Sequence, residues 1–115
     1  MKKWIGLALL AVTAAPLLAK PPALSKPAKR GLAFATTHCA VCHGITANSS
    51  SPNPEAPPWE DVANRPGTTQ ATLRTFLRDS HNFPAAMQFK VGRRDVGDLA
   101  AYLVTLQKPG YRPGI

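Results

Sequence analysis

Both cysteines of the 115-residue chain lie in one short motif, Cys39-Ala40-Val41-Cys42-His43. Two thiols three residues apart at the end of a helix face the same side, so they can add across the two vinyl groups of one porphyrin and form thioethers. His43 is then held beneath the iron, where an imidazole nitrogen can serve as the proximal ligand. The C-x-x-C-H spacing therefore predicts a covalently attached haem c, bound through Cys39 and Cys42 and ligated by His43.

Three other chemistries use cysteines at this spacing. A short-loop disulfide has no use for His43. A thioredoxin-like redox pair belongs in a βαβ context, and the sequence shows no strand-like alternation. A structural zinc ion needs two more ligands, for which only His38 and His81 remain, and we expect His38 to be a surface residue. The pattern favours haem over all three.

The sixth ligand of the iron must come from another segment. Met87 is the only methionine after Met1 and lies in an irregular stretch before the last predicted helix. A lone methionine is more often a core filler, but a thioether is also an established axial ligand of haem iron. We expect Met87 to bind the iron. His81 is the alternative ligand, and an open or weakly held site is the third possibility.

The N-terminal residues have the pattern of a secretory signal peptide. Met1-Lys2-Lys3 is positively charged, an apolar run follows from Trp4 to Ala15, and small residues precede a cleavage point after Ala19. The alternative is an uncleaved anchor, although the uncharged stretch is short for the roughly 20 residues of a membrane span. We predict removal of residues 1–19, export to the periplasm, and no stable membrane span in the mature protein. An oxidising compartment suits a protein whose thiols are covalently bound.

Composition bounds the remaining possibilities. The chain is 44% hydrophobic, contains 12 prolines, and carries 14 Lys+Arg against six Asp+Glu for a net charge of +8. This length allows one domain with a small core, to which a large bound cofactor would add apolar volume. These counts exclude a multidomain enzyme, a disulfide-rich toxin and a polytopic membrane protein. The basic charge alone would permit nucleic acid as a partner, but export argues against it.

The apolar pattern predicts an all-α fold with long loops. We expect a flexible Pro/Lys-rich leader over 20–29, a haem-binding domain over 30–108 and a tail over 109–115. The predicted main helices are 30–38, 69–80 and 93–108, the second capped by Thr69 and the third by Gly92. Between the first two lies a long Pro-rich stretch over 44–68, with one helical turn opening at Pro58-Trp59.

These features resemble a small class I c-type cytochrome of bacterial periplasmic type, over roughly 31–107. That family has a glycine eight residues before the first cysteine, where Gly31 stands, and the resemblance implies a close crossing of the first and last helices near 101–103. Pro57-Pro58-Trp59 and Arg65-Pro66-Gly67-Thr68 resemble a common subgroup. In that subgroup a proline follows the axial methionine, whereas Gln88 follows Met87 here.

The resemblance implies three main helices around one haem that leaves one edge exposed. The Pro-rich loop would cover the propionate side, where Trp59 either donates its indole N–H to a propionate or packs. Phe83, Phe89 and Val91 would line the methionine side and keep water from the iron. Two filled axial positions leave no place for a substrate. The expected function is therefore that of a single-electron carrier and not an enzyme.

Two other functions stay open at this point. The chain could be a fixed electron-transfer subunit of a larger dehydrogenase or sulfur-oxidising complex, or a haem sensor or peroxidase with an open distal site. Lys90, Arg93 and Arg94 flank Met87 in sequence and would form a basic rim around the haem edge. Redox protein partners with acidic docking surfaces would match such a rim.

Overall fold

A computed structural model of the chain describes residues 1, 15, 19–81, 84–87 and 89–114. Most of the predicted signal peptide (1–19) and Phe83 lie outside these ranges. Within them every regular element is helical, so the predicted all-α class is confirmed. The elements are α1 (Lys26–His38), α2 (Trp59–Ala63), α3 (Gln70–Thr75) with a π-helical turn (Phe76–Ser80), α4 (Pro84–Met87), and α5 (Arg93–Leu103) with a 3₁₀ turn (Val104–Leu106). No described helix has the length and apolar character needed to cross a membrane.

Helix α1 begins at Lys26, four residues before the predicted start. The Ser25 hydroxyl accepts a hydrogen bond from the Ala28 N–H at 3.3 Å, and Pro27 lies in the first turn. Serine at the cap and proline just inside the helix are both strong start signals. The predicted flexible leader over 20–29 is therefore wrong for its last four residues, which are helical.

Helices α1 and α5 cross at Gly31. A Cβ atom at this position would lie 2.1 Å from the Asp98 carbonyl oxygen, so only glycine permits the observed approach. Ala28 and Ala35 on the same face of α1 are completely buried. The predicted close crossing is confirmed, but it falls at Asp98–Leu99 and not at 101–103.

An ion pair beside the crossing explains this register. Arg30 donates two hydrogen bonds of 2.7 Å to the two carboxylate oxygens of Asp98. The Asp98 side chain is buried, and the Arg94 guanidinium lies 3.9 Å from the same carboxylate. Hydrogen bonding from Arg30 lowers the pKa of Asp98 against the opposing effect of burial. A bidentate salt bridge of this kind fixes the register of α5 along α1.

The other helix boundaries follow local rules. Thr69 caps α3 in a reciprocal capping box with Thr72, and Gly92 is the N-cap of α5, as predicted. The last helix is shorter than expected, because α-helical geometry ends at Leu103 and one 3₁₀ turn follows. Its apolar face supplies much of the core. The buried residues of that face are Val96, Leu99, Ala100, Leu103 and Leu106.

The Pro-rich loop is tied to the rest of the domain through α2. Pro58 is the N-cap of α2, in agreement with the predicted helical turn. Glu60 on α2 is buried and forms an ion pair with Lys108, while the Tyr111 hydroxyl donates to Asp61 at 2.6 Å. The first residues of the C-terminal tail are therefore anchored to the loop.

Replacing Gly31 by Ala should separate α1 from α5. Because the new Cβ would meet the Asp98 backbone, we expect the haem-loaded protein to lose about 1–3 kcal/mol of unfolding free energy, the usual cost of overpacking. Gly97→Ala is the matched control on α5, since a Cβ there has no atom within 4 Å. It should be neutral or gain about 0.5–1 kcal/mol. Urea unfolding measures both, and a Gly31→Ala variant as stable as Gly97→Ala would contradict the crossing.

Asp98→Asn should change how stability depends on pH. The folded pKa of Asp98 is lowered, so its contribution is present above its ordinary pKa of about 3.9 and is lost as pH falls through the folded value. We expect Asp98→Asn to lower the free energy of unfolding by about 1–2 kcal/mol at pH 7. This value lies between those of exposed and buried salt bridges, because Arg30 is partly exposed. The acid limb of the stability curve should flatten. Urea unfolding at several pH values tests this, with the exposed Glu55→Gln as control. An unchanged acid limb in Asp98→Asn would contradict it.

Candidate haem-binding site

The C-x-x-C-H motif forms a tight turn directly after α1. Cys39 is the C-cap of the helix. The N–H groups of Cys42 and His43 both donate to the Cys39 carbonyl, at 3.1 and 2.9 Å. This turn brings two free, half-buried thiols and the imidazole together at one end of α1. The expected clustering of the three residues is what the structure shows.

The environment of Cys39 separates the possible chemistries. Burial, and secondarily the neighbouring Cys42, raises the pKa of its thiol to about 11. A redox-active nucleophilic cysteine requires the opposite shift, because the thiolate is the reacting form. Among the described residues there is also no group of three or more His, Cys, Asp or Glu side chains that could hold a metal ion. Cys39 is therefore poorly suited to be the attacking thiolate, and the described residues form no zinc site.

His43 is oriented by a backbone carbonyl. Its Nδ1 lies 2.8 Å from the Pro57 oxygen. Since a carbonyl oxygen only accepts, Nδ1 must carry the hydrogen, and Nε2 is the nitrogen left to bind a metal. The carbonyl is itself held, because the Trp59 N–H two residues later donates to the Gly44 oxygen at 2.8 Å. Pro57 is thus a functional residue that side-chain reasoning missed. Its position in a Pro-Pro-Trp run was the available signal.

Aromatic packing supports the imidazole from one side. The buried Trp59 ring lies 6.0 Å from the His43 ring and 6.1 Å from the Tyr102 ring, measured between centroids. The Tyr102 hydroxyl donates to the Ile45 carbonyl at 2.8 Å, which ties α5 to the segment after the motif. Trp59 therefore packs against both rings, and donation of its indole N–H to a propionate stays a prediction.

His81 lies close to His43. The two rings meet edge to face with their centroids 5.9 Å apart. The other face of His81 stacks on Phe76, at 5.4 Å and an interplanar angle of 9°. Burial, and then the proximity of His43, lowers the pKa of His81. A neutral imidazole at this place can donate a nitrogen lone pair, so His81 is chemically able to be a ligand.

Met87 is the last residue of α4, so the segment predicted to be irregular contains one helical turn. Pro84 suits the first position of a helix, which explains the turn. The Met87 side chain is half-buried and packs against the hydrophobic core. Beyond it, Val91 is buried and Phe89 is half-buried, and their place in an apolar wall beside the iron stays a prediction.

The residue types present fit a covalently bound haem. The turn offers two thiols that are not joined in a disulfide and one imidazole whose Nε2 is available. A thioether and a second imidazole are present in the segment that follows α3. The segment before α5 also carries apolar side chains, since Val91 is buried and Met87 and Phe89 are half-buried against the core. This set of donor atoms suits haem iron. The described residues form no other metal site.

Comparison with known proteins agrees with this donor set. The family model for cytochrome c matches residues 28–107. The chain is 33% identical over 85 residues to cytochrome c-552 of Bradyrhizobium diazoefficiens (strain JCM 10833 / BCRC 13528 / IAM 13628 / NBRC 14792 / USDA 110), a match that covers 74% of this chain and 80% of that protein. No solved structure matches the chain significantly. The chain therefore belongs to the cytochrome c family, whose members carry covalently bound haem c and its iron.

Proposed function

We propose that this chain is a periplasmic single-electron carrier with one haem c, attached through Cys39 and Cys42 and ligated by His43 and Met87. The observation that carries the proposal is the hydrogen bond from His43 Nδ1 to the Pro57 carbonyl, at 2.8 Å. That bond directs Nε2 of a rigidly held imidazole away from the loop and fixes its tautomer. The bound haem supplies a one-electron Fe(II)/Fe(III) couple.

Rigid axial ligands suit electron transfer better than catalysis. A carrier needs little change of geometry between its two oxidation states, and both proposed ligands come from segments packed against the core. A sensor or peroxidase instead needs an open distal position and a placed acid–base group. Met87 and the apolar Phe89 and Val91 fill the corresponding segment here. The cytochrome c-552 relative supports the same choice.

We prefer Met87 as the sixth ligand, although the His81 ring lies only 5.9 Å from the His43 ring. A thioether is a soft, neutral donor that favours Fe(II), whereas a second imidazole favours Fe(III). His81 stacks on Phe76 and meets His43 edge to face, which gives it an alternative role as a packing residue. Met87 also occupies the place before the last helix in which the resembled family carries its ligand.

Exposed basic residues just before α5 and in its first turn support acidic redox partners. Lys90 and Arg93 are exposed, and Arg94 is exposed while sharing Asp98 with Arg30. Together with the net charge of +8, these side chains suit fast, weak and salt-sensitive docking of an acidic protein.

Export and covalent attachment can be tested together by intact mass. Protein purified from the periplasm should have the mass of residues 20–115 plus one haem. Because thioethers resist acid, extraction with acid acetone should leave the haem on the protein. A haem that moves into the solvent would contradict attachment through Cys39 and Cys42.

A Cys39→Ala/Cys42→Ala double variant should be largely unfolded or degraded, since the small core depends on the cofactor.

Substitution of the two candidate sixth ligands tests the carrier directly. Wild-type ferric protein should show the long-wavelength charge-transfer band of sulfur bound to iron. Met87→Ala should lose that band and bind carbon monoxide when reduced, and Met87→His should lower the reduction potential. His81→Ala is the matched control and should keep the band. A wild type without the band, opened to carbon monoxide by His81→Ala and not by Met87→Ala, would contradict Met87 ligation.

A further inference from the structure

Three aromatic rings join α1 to the segment that follows Met87. Phe34 and His38 lie one turn apart on α1 with ring centroids 4.5 Å apart. Phe89 contacts both rings, at 6.2 Å from Phe34 and 5.1 Å from His38. All three pairs are tilted, a favourable arrangement for aromatic rings. We call these three residues the aromatic clasp.

The clasp connects the two ends of the haem site. His38 is the last residue of α1 and directly precedes Cys39, whereas Phe89 lies two residues after Met87. Helix α4 has four residues, far too few to be stable by itself. The core contact of Met87 itself and the contacts of the neighbouring segment must therefore hold this residue in place. Phe89 supplies such a contact, because it packs onto the same helix that leads into the attachment turn.

We propose that Phe34 and His38 are positioning residues for the sixth ligand, acting through Phe89 to hold the Met87 segment in place. This inference rests on the proposed Met87 ligation. Loss of a ring from the clasp lowers the free energy needed to move the Met87 segment away from the iron. Foreign ligands then compete more successfully with the thioether, while the covalent attachment stays intact.

His38 allows this role to be separated from folding. Its side chain is exposed, so removing it leaves no cavity in the core, whereas Phe34 and Phe89 are half-buried. Thr37 is the matched control, because it is the exposed neighbour of His38, and its hydroxyl bonds only within the helix, to Ala33. A merely structural role for His38 would alter unfolding without altering access to the iron.

The test uses ferric haem-loaded protein titrated with imidazole, followed by loss of the sulfur-to-iron charge-transfer band. His38→Ala should bind imidazole about three- to tenfold more tightly than wild type, the range expected for aromatic pairs. His38→Phe should restore wild-type affinity, and Thr37→Ala should leave it unchanged. Phe89→Leu, which keeps apolar volume but removes the ring, should shift affinity in the same direction as His38→Ala.

The outcomes distinguish the two levels of the proposal. If wild type shows the band and either His38→Ala or Phe89→Leu retains wild-type imidazole affinity, the clasp is overturned while Met87 ligation stands. If wild type lacks the band, Met87 ligation and the clasp are both overturned. Failure of His38→Phe to restore affinity would also overturn the clasp, because a ring at that position would then be insufficient.

Discussion

The hydrogen bond between His43 Nδ1 and the Pro57 carbonyl links the parts of this molecule that have to meet. It joins the turn after α1 to the Pro-rich loop, and the loop is held in turn by the Trp59 N–H on the Gly44 carbonyl. An imidazole beside two thiols is otherwise free to rotate and to exchange tautomers. With Nδ1 occupied, a single nitrogen remains for the iron, and the hydrogen bond makes that nitrogen a stronger donor. The irregular loop is thus part of the ligand's support.

The packing of α1 against α5 positions the His43 turn relative to the rest of the site. Gly31 lets α1 approach the α5 backbone, and the Arg30–Asp98 pair sets the register of the crossing. The segment that carries Met87 leads into α5, and its Phe89 contacts Phe34 and His38 of α1. A carrier needs its iron held in one geometry in both oxidation states. Here that rigidity comes from contacts between helices and loops in a domain too small to provide a large core of its own.

Local rules made much of the fold predictable from sequence. The C-x-x-C-H turn and the caps at Thr69 and Gly92 depend on residues near one another, whereas the close approach at Gly31 was implied by the family resemblance. Contacts between distant residues were not predictable in this way: Arg30 and Asp98 are 68 positions apart. The register of the crossing was misplaced for that reason. The Pro57 carbonyl was missed because the Pro57-Pro58-Trp59 run marks the segment but does not show which backbone oxygen meets His43. His38 was correctly placed at the surface, but its ring contact with Phe89 depends on tertiary packing.

Proton NMR of the reduced, diamagnetic protein shows whether one imidazole and one thioether hold the iron. The ring current of the porphyrin shifts protons above its plane strongly upfield. We expect one upfield methyl resonance of three protons, assigned to Met87 and absent from a Met87→Ala sample, together with a slowly exchanging Nδ1–H signal of His43. Upfield-shifted ring protons of His81 in place of that methyl resonance would contradict it.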